Sequence, residues 1–188
     1  EERSERKLSK QIIKDIQKMP KNAHPMDVIR TCVSLMALED KDTKDNSPKA
    51  NMKKAMRIFA KTPTAVAAYF RARKGKKIIS PDNKLSFAAN FFKMMFGKVP
   101  DKEIVRAFDI SLILYAEHSF NVSTFTARTI TSSLSDIHGA ITGAIASLKG
   151  PLHGGANEAV MHMMKEIGKP EKAKAWIENA IDKKKVVM

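Results

Sequence analysis

The segment Gly150-Pro151-Leu152-His153-Gly154-Gly155-Ala156-Asn157-Glu158-Ala159 sets a histidine between the end of one predicted helix and the start of the next. Glycine and proline end the first helical run, and helical spacing resumes at Gly155. We expect the glycines to remove bulk on both sides of the imidazole, so that a ligand can approach the backbone. We also expect free N–H groups of a helix N-terminus beside the ring. The alternative is an ordinary interhelical turn whose histidine is solvated or hydrogen-bonded to a carbonyl.

A second polar segment lies upstream, in Tyr115-Ala116-Glu117-His118-Ser119-Phe120-Asn121-Val122-Ser123-Thr124-Phe125-Thr126-Ala127-Arg128. An apolar helical run breaks here into histidine, serine, asparagine and threonine before helical spacing resumes. Polar groups between two buried helices cost free energy unless they are hydrogen-bonded. A bound substrate is one way to satisfy them.

Helical spacing of apolar residues continues along almost the whole chain, which predicts an all-α, multi-helical fold. One apolar stripe runs through residues 8–19, and Pro25 opens the next helix. Ser47 and Pro48 predict the start of a third helix, with a kink or break near Pro63. Further helices are predicted at 86–96, 101–115, 123–134, 137–149, 155–167 and 171–183, with Asp101 and Asp136 as caps and Gly97, Gly150 and Gly168 as stops.

The composition favours a single globular helical domain. The chain has 188 residues, of which 43% are hydrophobic, so it can bury a sizeable core. We find no apolar run long enough to span a bilayer and no signal peptide at the start, so no membrane association is expected. The only cysteine, Cys32, falls on an apolar helical face and is predicted to be a buried structural thiol in a reducing compartment.

Other catalytic constellations are not supported by the residue pattern. The histidines lack metal-ligand spacing, and His138 and His162 are predicted to lie on helix surfaces, so no metal is expected. No serine elbow and no glycine-rich loop after a strand is present.

The two polar segments, in this order and at this separation, resemble the citrate synthase family, including the 2-methylcitrate synthases. The resemblance runs from the turn at His24-Pro25-Met26-Asp27 to Val186-Val187-Met188. It implies a large helical domain with antiparallel helix packing. It also implies an acyltransferase that condenses acetyl-CoA or propionyl-CoA with oxaloacetate to give citrate or 2-methylcitrate plus CoA. No cofactor is implied, because the coenzyme A thioester is itself a substrate.

The resemblance assigns roles to residues of both segments. His153 is the implied catalytic residue, which donates a hydrogen bond to the thioester carbonyl as it becomes an enolate. His118 and Asn121 are the implied oxaloacetate-binding residues, with Gly154, Gly155 and Asn157 in support. A preorganised donor to such an oxyanion is worth roughly 3–4 kcal/mol. A neutral imidazole suits this role, and a helix N-terminus disfavours its protonation.

A small-residue face on one predicted helix has two interpretations. Gly139 and Gly143 let another backbone approach closely. Internal helix packing explains the pattern, whereas the family resemblance implies a homodimer joined by antiparallel helices from this region. The resemblance also implies a cytoplasmic protein, or one of the mitochondrial matrix in a eukaryote.

The formal net charge of +14 lies almost wholly in residues 1–100, away from both polar segments. The densest basic cluster, Arg71, Arg73, Lys74, Lys76 and Lys77, is predicted to lie in a loop. A solvated basic surface is the simplest interpretation, and weak steering of polyanionic CoA is the next. No aromatic stacking platform adjoins the cluster, so nucleic acid is not an expected partner.

Family members extend beyond both ends of this sequence. The resemblance implies a second catalytic histidine, an aspartate base and carboxylate-binding arginines after Met188, where a small domain begins. We therefore expect residues 1–188 to form part of a single large helical domain and to be inactive alone. A citryl-CoA-cleaving relative and a non-catalytic basic helical interaction module are the alternatives. The polar residues His118, Asn121, His153 and Asn157 favour an enzyme over the module.

Overall fold

The computed structural model describes residues 1–117 and 120–185, and all the regular structure in these ranges is helical. The all-α prediction is therefore confirmed. The helices are α1 (Glu2–Glu5), α2 (Lys10–Lys18), α3 (Pro25–Glu39), α4 (Pro48–Arg73), α5 (Phe87–Phe96), α6 (Lys102–Leu114), α7 (Val122–Thr131), α8 (Ile137–Leu148), α9 (Gly155–Ile167) and α10 (Ala173–Asp182), with a 3₁₀ turn at Pro170–Lys172 before α10.

Three helices begin at the predicted capping residues. The Ser47 hydroxyl accepts a hydrogen bond from the Ala50 amide at 3.3 Å, which caps α4. Asp136 accepts one from the Gly139 amide at 3.0 Å, at the start of α8. Asp101 occupies the N-cap position of α6, but its side chain makes no capping hydrogen bond. The predicted position of the cap is therefore confirmed.

Two predicted helix boundaries also need correction. The helix α4 continues through Pro63 to Arg73, so no break occurs there, and two of the basic-cluster residues, Arg71 and Arg73, belong to its last turn. The helix α7 ends at Thr131 instead of residue 134, and Leu134 adopts a left-handed φ of 64° in the turn that follows. Gly97 and Gly168 end their helices as predicted. Their φ values are 85° and 75°, which residues with a side chain rarely adopt.

The chain divides into two compact units, residues 1–146 and 147–188. In the first unit α4 packs against α1, α2, α3 and α5. The core residues there are apolar side chains of the segment before α2 and of α2, α3 and α4, namely Leu8, Ile12, Ile16, Val28, Cys32, Met36, Ala65, Ala68 and Tyr69. The hydroxyl of Tyr69 lies 2.8 Å from the Pro20 carbonyl oxygen, which ties α4 to the end of α2.

Cys32 is fully buried in this core, as predicted. Burial raises the pKa of its thiol to about 12, and the nearby Asp15 carboxylate adds to the effect. A thiol with so high a pKa is almost never a thiolate at neutral pH, which fits a structural role.

The second unit contains α9 and α10. The Lys185 ammonium lies 2.9 Å from a carboxylate oxygen of Glu166 and 5.0 Å from the centre of the Trp176 ring. Hydrogen bonding to Lys185 lowers the pKa of Glu166. Among the described residues, no helix is long and apolar enough to cross a membrane.

Candidate functional site

The segment that carries His153 forms a tight turn between α8 and α9. The carbonyl oxygen of Gly150 accepts two hydrogen bonds, from the His153 amide at 3.0 Å and from the Gly155 amide at 3.1 Å. The Gly150 amide in turn donates to the Ser147 carbonyl at 3.0 Å. These three bonds fix the backbone on both sides of the histidine.

Both glycines after His153 are required by the chain's own backbone. A Cβ atom at Gly154 would lie 2.6 Å from the carbonyl oxygen of Leu148. A Cβ atom at Gly155 would lie 2.7 Å from the carbonyl oxygen of Gly150. Our expectation that these glycines leave room for a ligand therefore needs correction, because the space beside each is filled by the preceding turn. Their role is to let α9 begin directly against the end of α8.

The first amides of α9 already have acceptors. Gly155, Ala156 and Asn157 donate to the carbonyl oxygens of Gly150, His153 and Gly154 at 3.1, 3.0 and 3.2 Å. The expectation of free N–H groups beside the ring is wrong for these amides. Their dipoles still point along α9 toward its N-terminus, so this end of the helix retains a partial positive charge.

The side chains of this turn differ in exposure. His153 is half-buried, and its neighbour Leu152 is 96% exposed. Asn157 lies exposed in the first turn of α9.

In the upstream segment, the described site residue is Asn121, because His118 lies outside the described residues. Asn121 is the N-cap of α7, and its side-chain oxygen accepts a hydrogen bond from the Thr124 amide at 3.1 Å. The Nδ2 donors of the carboxamide are chemically separate from this capping oxygen. Asn121 belongs to the unit 1–146 and His153 to the unit 147–188.

The two glycines of α8 make contacts within the chain. A Cβ atom at Gly143 would clash with the Cδ1 atom of Ile130 and would lie 3.6 Å from Cγ2 of Thr126, both on α7. A Cβ atom at Gly139 would lie 3.2 Å from the Ser135 hydroxyl. Gly143 therefore allows α7 and α8 to pack closely, which supports internal packing as the reason for the small-residue face.

The structure contains a buried charged cluster around His138 that the sequence pattern did not predict. His138 is 1% exposed, so its prediction as a surface residue is wrong, whereas His162 is exposed as predicted. The Nε2 atom of His138 lies 3.5 Å from Asp40, and its Nδ1 atom lies 3.6 Å from Asp136. Arg57 makes two hydrogen bonds to Asp40, at 2.8 and 2.6 Å. One sequence feature could have indicated this cluster. Arg57 and the buried Lys54 both lie near the apolar stripe of α4, where a cation needs an acidic or carbonyl partner.

The basic cluster at the end of α4 interacts with the chain itself. Arg71 donates hydrogen bonds to the carbonyl oxygens of Lys77 and Met95, and the Lys74 ammonium lies 4.1 Å from the centre of the Phe70 ring. These contacts support the interpretation of the cluster as an ordinary basic surface.

A wide apolar cleft of about 770 Å³ lies in the first unit between α4, α5, α6 and α8. Aromatic and aliphatic side chains line it, among them Phe59, Phe91, Phe108, Leu112, Ile141 and Ile145. The Phe91 and Phe108 rings stack with their centres 5.5 Å apart. Part of the apolar stripe of α6, including Phe108 and Leu112, therefore faces this cleft.

Comparison with known proteins identifies the class to which this fold and these turns belong. Residues 1–188 match the family model described as citrate synthase, C-terminal domain. The chain therefore belongs to the citrate synthase family.

Within the described ranges, no three acidic, histidine or cysteine side chains are grouped so that they could hold a metal ion.

Its relatives include both branches that the sequence suggested. The chain is 49% identical to a citrate synthase of Mycolicibacterium smegmatis over 100% of its own length and 50% of the relative's. It is 50% identical to a 2-methylcitrate synthase of Mycobacterium tuberculosis, with 100% and 47% covered. The chain thus spans about half the length of these relatives.

Solved structures of citrate synthases share the fold of this chain. The citrate synthase of Thermotoga maritima has a TM-score of 0.84 and 35% identity, covering 100% of this chain and 48% of the other. A citrate synthase of Thermoplasma acidophilum, solved as a ternary complex with carboxymethyl coenzyme A and oxaloacetate, has a TM-score of 0.88 and 28% identity, covering 98% and 48%.

Proposed function

We propose that this chain belongs to an enzyme that condenses acetyl-CoA or propionyl-CoA with oxaloacetate. The observation that carries the proposal is the similarity along the whole chain to citrate and 2-methylcitrate synthases, at 49% and 50% identity. We infer that both compact units belong to one large helical domain, as in our sequence prediction. The bacterial relatives favour a cytoplasmic enzyme.

The reaction breaks one C–H bond and forms one C–C bond. A base takes a proton from the carbon next to the thioester, and the negative charge moves to the thioester oxygen. The resulting enolate carbon attacks the ketone carbon of oxaloacetate, whose oxygen takes up a proton. Water then cleaves the thioester, which gives the tricarboxylate and free CoA thiol. We assign the base to the part of the relatives' length that this chain does not span.

His153 is the residue that we assign to the thioester oxygen. A donor stabilises an oxyanion best when its position is fixed before the reaction. The Gly150 carbonyl holds the backbone on both sides of His153, and glycine at positions 154 and 155 allows the close backbone approach that this turn requires. These features support a preorganised donor.

Asn121 and His118 are the residues that we assign to oxaloacetate. The Asn121 oxygen is engaged in capping α7, so the Nδ2 donors are the part of the side chain suited to a carboxylate or ketone oxygen. Gly154, Gly155 and Asn157 support the histidine turn in this proposal.

We further propose that the enzyme is a homodimer in which α7 and α8 form part of the interface. Phe125 of α7 is 71% exposed and Val122 is 54% exposed, so this helix presents apolar surface that a second copy would cover. The glycines of α8 contribute by holding α7 and α8 together within each copy.

The test is steady-state kinetics of the whole enzyme with two pairs of variants. His153→Ala should lower kcat about 100- to 1000-fold with little change in the KM for oxaloacetate, because its bond strengthens only as charge develops. His162→Ala is the matched control on the exposed face of α9 and should leave kcat unchanged. Equal losses in both variants would contradict the assignment to His153.

Asn121→Asp tests the oxaloacetate assignment without removing the cap. Aspartate keeps the oxygen that accepts from Thr124 but replaces the Nδ2 donors by a second, negatively charged oxygen. We expect the KM for oxaloacetate to rise at least tenfold with the thermal stability nearly unchanged. Asn121→Ala, which loses the cap, separates the two roles. Unchanged oxaloacetate binding in Asn121→Asp would remove this residue from the pocket.

A further inference from the structure

The start of α8 is joined to the turn between α3 and α4 through a buried charged cluster that the proposed reaction does not use. The His138 cluster consists of His138, Asp40, Asp42, Arg57 and Asp136. Its two acidic residues from the α3–α4 turn are bound by Arg57, which lies 2.8 and 2.6 Å from Asp40 oxygens and 2.8 Å from Asp42.

His138 lies beside this ion pair, and its Nδ1 atom makes no hydrogen bond. Its side chain is 1% exposed. The nearest carboxylate oxygens lie 3.5 Å from Nε2, on Asp40, and 3.6 Å from Nδ1, on Asp136. Both distances exceed the 2.7–3.2 Å of an ordinary N–H to oxygen hydrogen bond.

Every charged group that faces the imidazole is already engaged. Asp40 is bound by Arg57, and Asp136 accepts from the Gly139 amide at 3.0 Å. Lys54, the second cation near the ring, donates to the Asp45 carbonyl at 2.6 Å. A proton added to His138 would gain the attraction of Asp40 and Asp136 at 3.5 and 3.6 Å, but it would lose its hydration and would be repelled by Arg57 and Lys54.

We propose that His138 is a pH-sensitive latch: the neutral imidazole packs the start of α8 against the α3–α4 turn, and protonation releases it. Besides the latch, a hydrogen bond from the Asn46 carboxamide to the Leu134 carbonyl, at 3.0 Å, joins the same two regions. Since Asn46 and Leu134 are both exposed, this bond alone would hold them weakly.

The direction of the pH effect follows from the burial of the ring. Desolvation lowers the pKa of His138, and the opposing pull of Asp40 and Asp136 does not overcome it. A group whose pKa is lower in the folded protein binds fewer protons when folded than when unfolded. The fold therefore loses stability as the pH falls below the ordinary histidine value of 6.5.

The carboxylate of the same cluster acts in a different pH range. Hydrogen bonding to Arg57 and the charges of Arg57 and His138 lower the pKa of Asp40 despite its desolvation. Its stabilising contribution is present above 3.8 and is lost on further acidification. Loss of stability between pH 6.5 and 5 is therefore attributable to histidine and not to Asp40.

The experiment compares urea unfolding of the wild type and His138→Gln between pH 7 and 5. Glutamine keeps a polar amide but does not titrate. The folding constant of the wild type relative to the variant should fall with pH, with a slope that approaches but does not exceed tenfold per pH unit for one proton. The matched control, His162→Gln, changes a histidine that is 71% exposed, and it should keep the wild-type slope. Parallel curves for the wild type and His138→Gln would overturn the proposal.

Two further readouts keep the proposal testable if His138→Gln folds poorly. Imidazole ¹⁵N shifts of the wild type should give a titration midpoint for His138 below 6.5, and a midpoint at or above that value would contradict the latch. Amide hydrogen exchange, corrected for its intrinsic pH dependence, should accelerate at Gly139 and Ala140 on acidification more than at Ala65 in the core. Equal acceleration at both places would indicate global unfolding instead of local release, and would also overturn it.

Discussion

The helices α4 and α6 have similar apolar stripes but different surroundings. Ile58 of α4 is 5% exposed, because α1, α2, α3 and α5 all pack against that helix. Ile113 and Leu114 of α6 are 72% and 74% exposed, and α5 is the main helix that packs against α6. The comparison shows that a periodic pattern identifies which face of a helix is apolar, whereas the cover over that face depends on other segments or on other molecules.

The largest expected effect is the difference in stability between truncating a buried isoleucine of α4 and truncating an exposed isoleucine of α6. Ile58→Ala should lower the free energy of unfolding by about 3 kcal/mol, because it leaves a cavity beside a well-packed helix. Ile113→Ala should change it by less than about 0.5 kcal/mol, because the side chain is exposed. Urea unfolding followed by circular dichroism measures both.

The same pair of variants can also contradict the comparison. If Ile113→Ala costs as much as Ile58→Ala, the face of α6 is covered in solution. A cost that grows with protein concentration would identify a second copy as the cover. A cost independent of concentration would identify a segment of the same polypeptide.

Local signals in the sequence were sufficient wherever one residue decides a boundary. Gly155 and Gly168 delimit α9 as predicted, and Ser47 begins α4 as predicted. The end of α7 was misplaced by three residues, because no glycine or proline marks it and Leu134 takes the left-handed conformation that glycine usually adopts.

Errors occurred where tertiary contacts outweighed local preference. Pro63 does not end α4, since burial of Ala60, Thr64 and Ala65 around it more than offsets one missing backbone hydrogen bond. His138 was misassigned because its neighbour Asp40 comes from a turn nearly a hundred residues earlier, and periodicity carries no information about such contacts. The functional assignments of His118, Asn121 and His153 rest on the family resemblance and remain predictions.

An effect of intermediate size is expected where α7 meets α8. Gly143→Leu should cost about 1–3 kcal/mol, because leucine cannot fit against Ile130 without moving the two helices apart. Gly139→Ala is the control, since the flexible Ser135 hydroxyl can yield and alanine favours the helix by up to about 1 kcal/mol. Sedimentation and urea unfolding of both variants should be measured together. A dimer weakened by Gly143→Leu without loss of stability would place the glycine in direct contact with a second copy.

The smallest expected effect concerns the N-termini of α4 and α6. Ser47→Ala removes a hydroxyl that accepts from the Ala50 amide and should cost about 1 kcal/mol. Asp101 makes no capping hydrogen bond, so Asp101→Ala should lose only the attraction between its charge and the dipole of α6, a few tenths of a kcal/mol. High salt distinguishes the two mechanisms, because screening should abolish the effect of Asp101→Ala and leave that of Ser47→Ala nearly unchanged. If Asp101→Ala costs about 1 kcal/mol at high salt, the aspartate caps α6 in solution, and the two helix starts are alike.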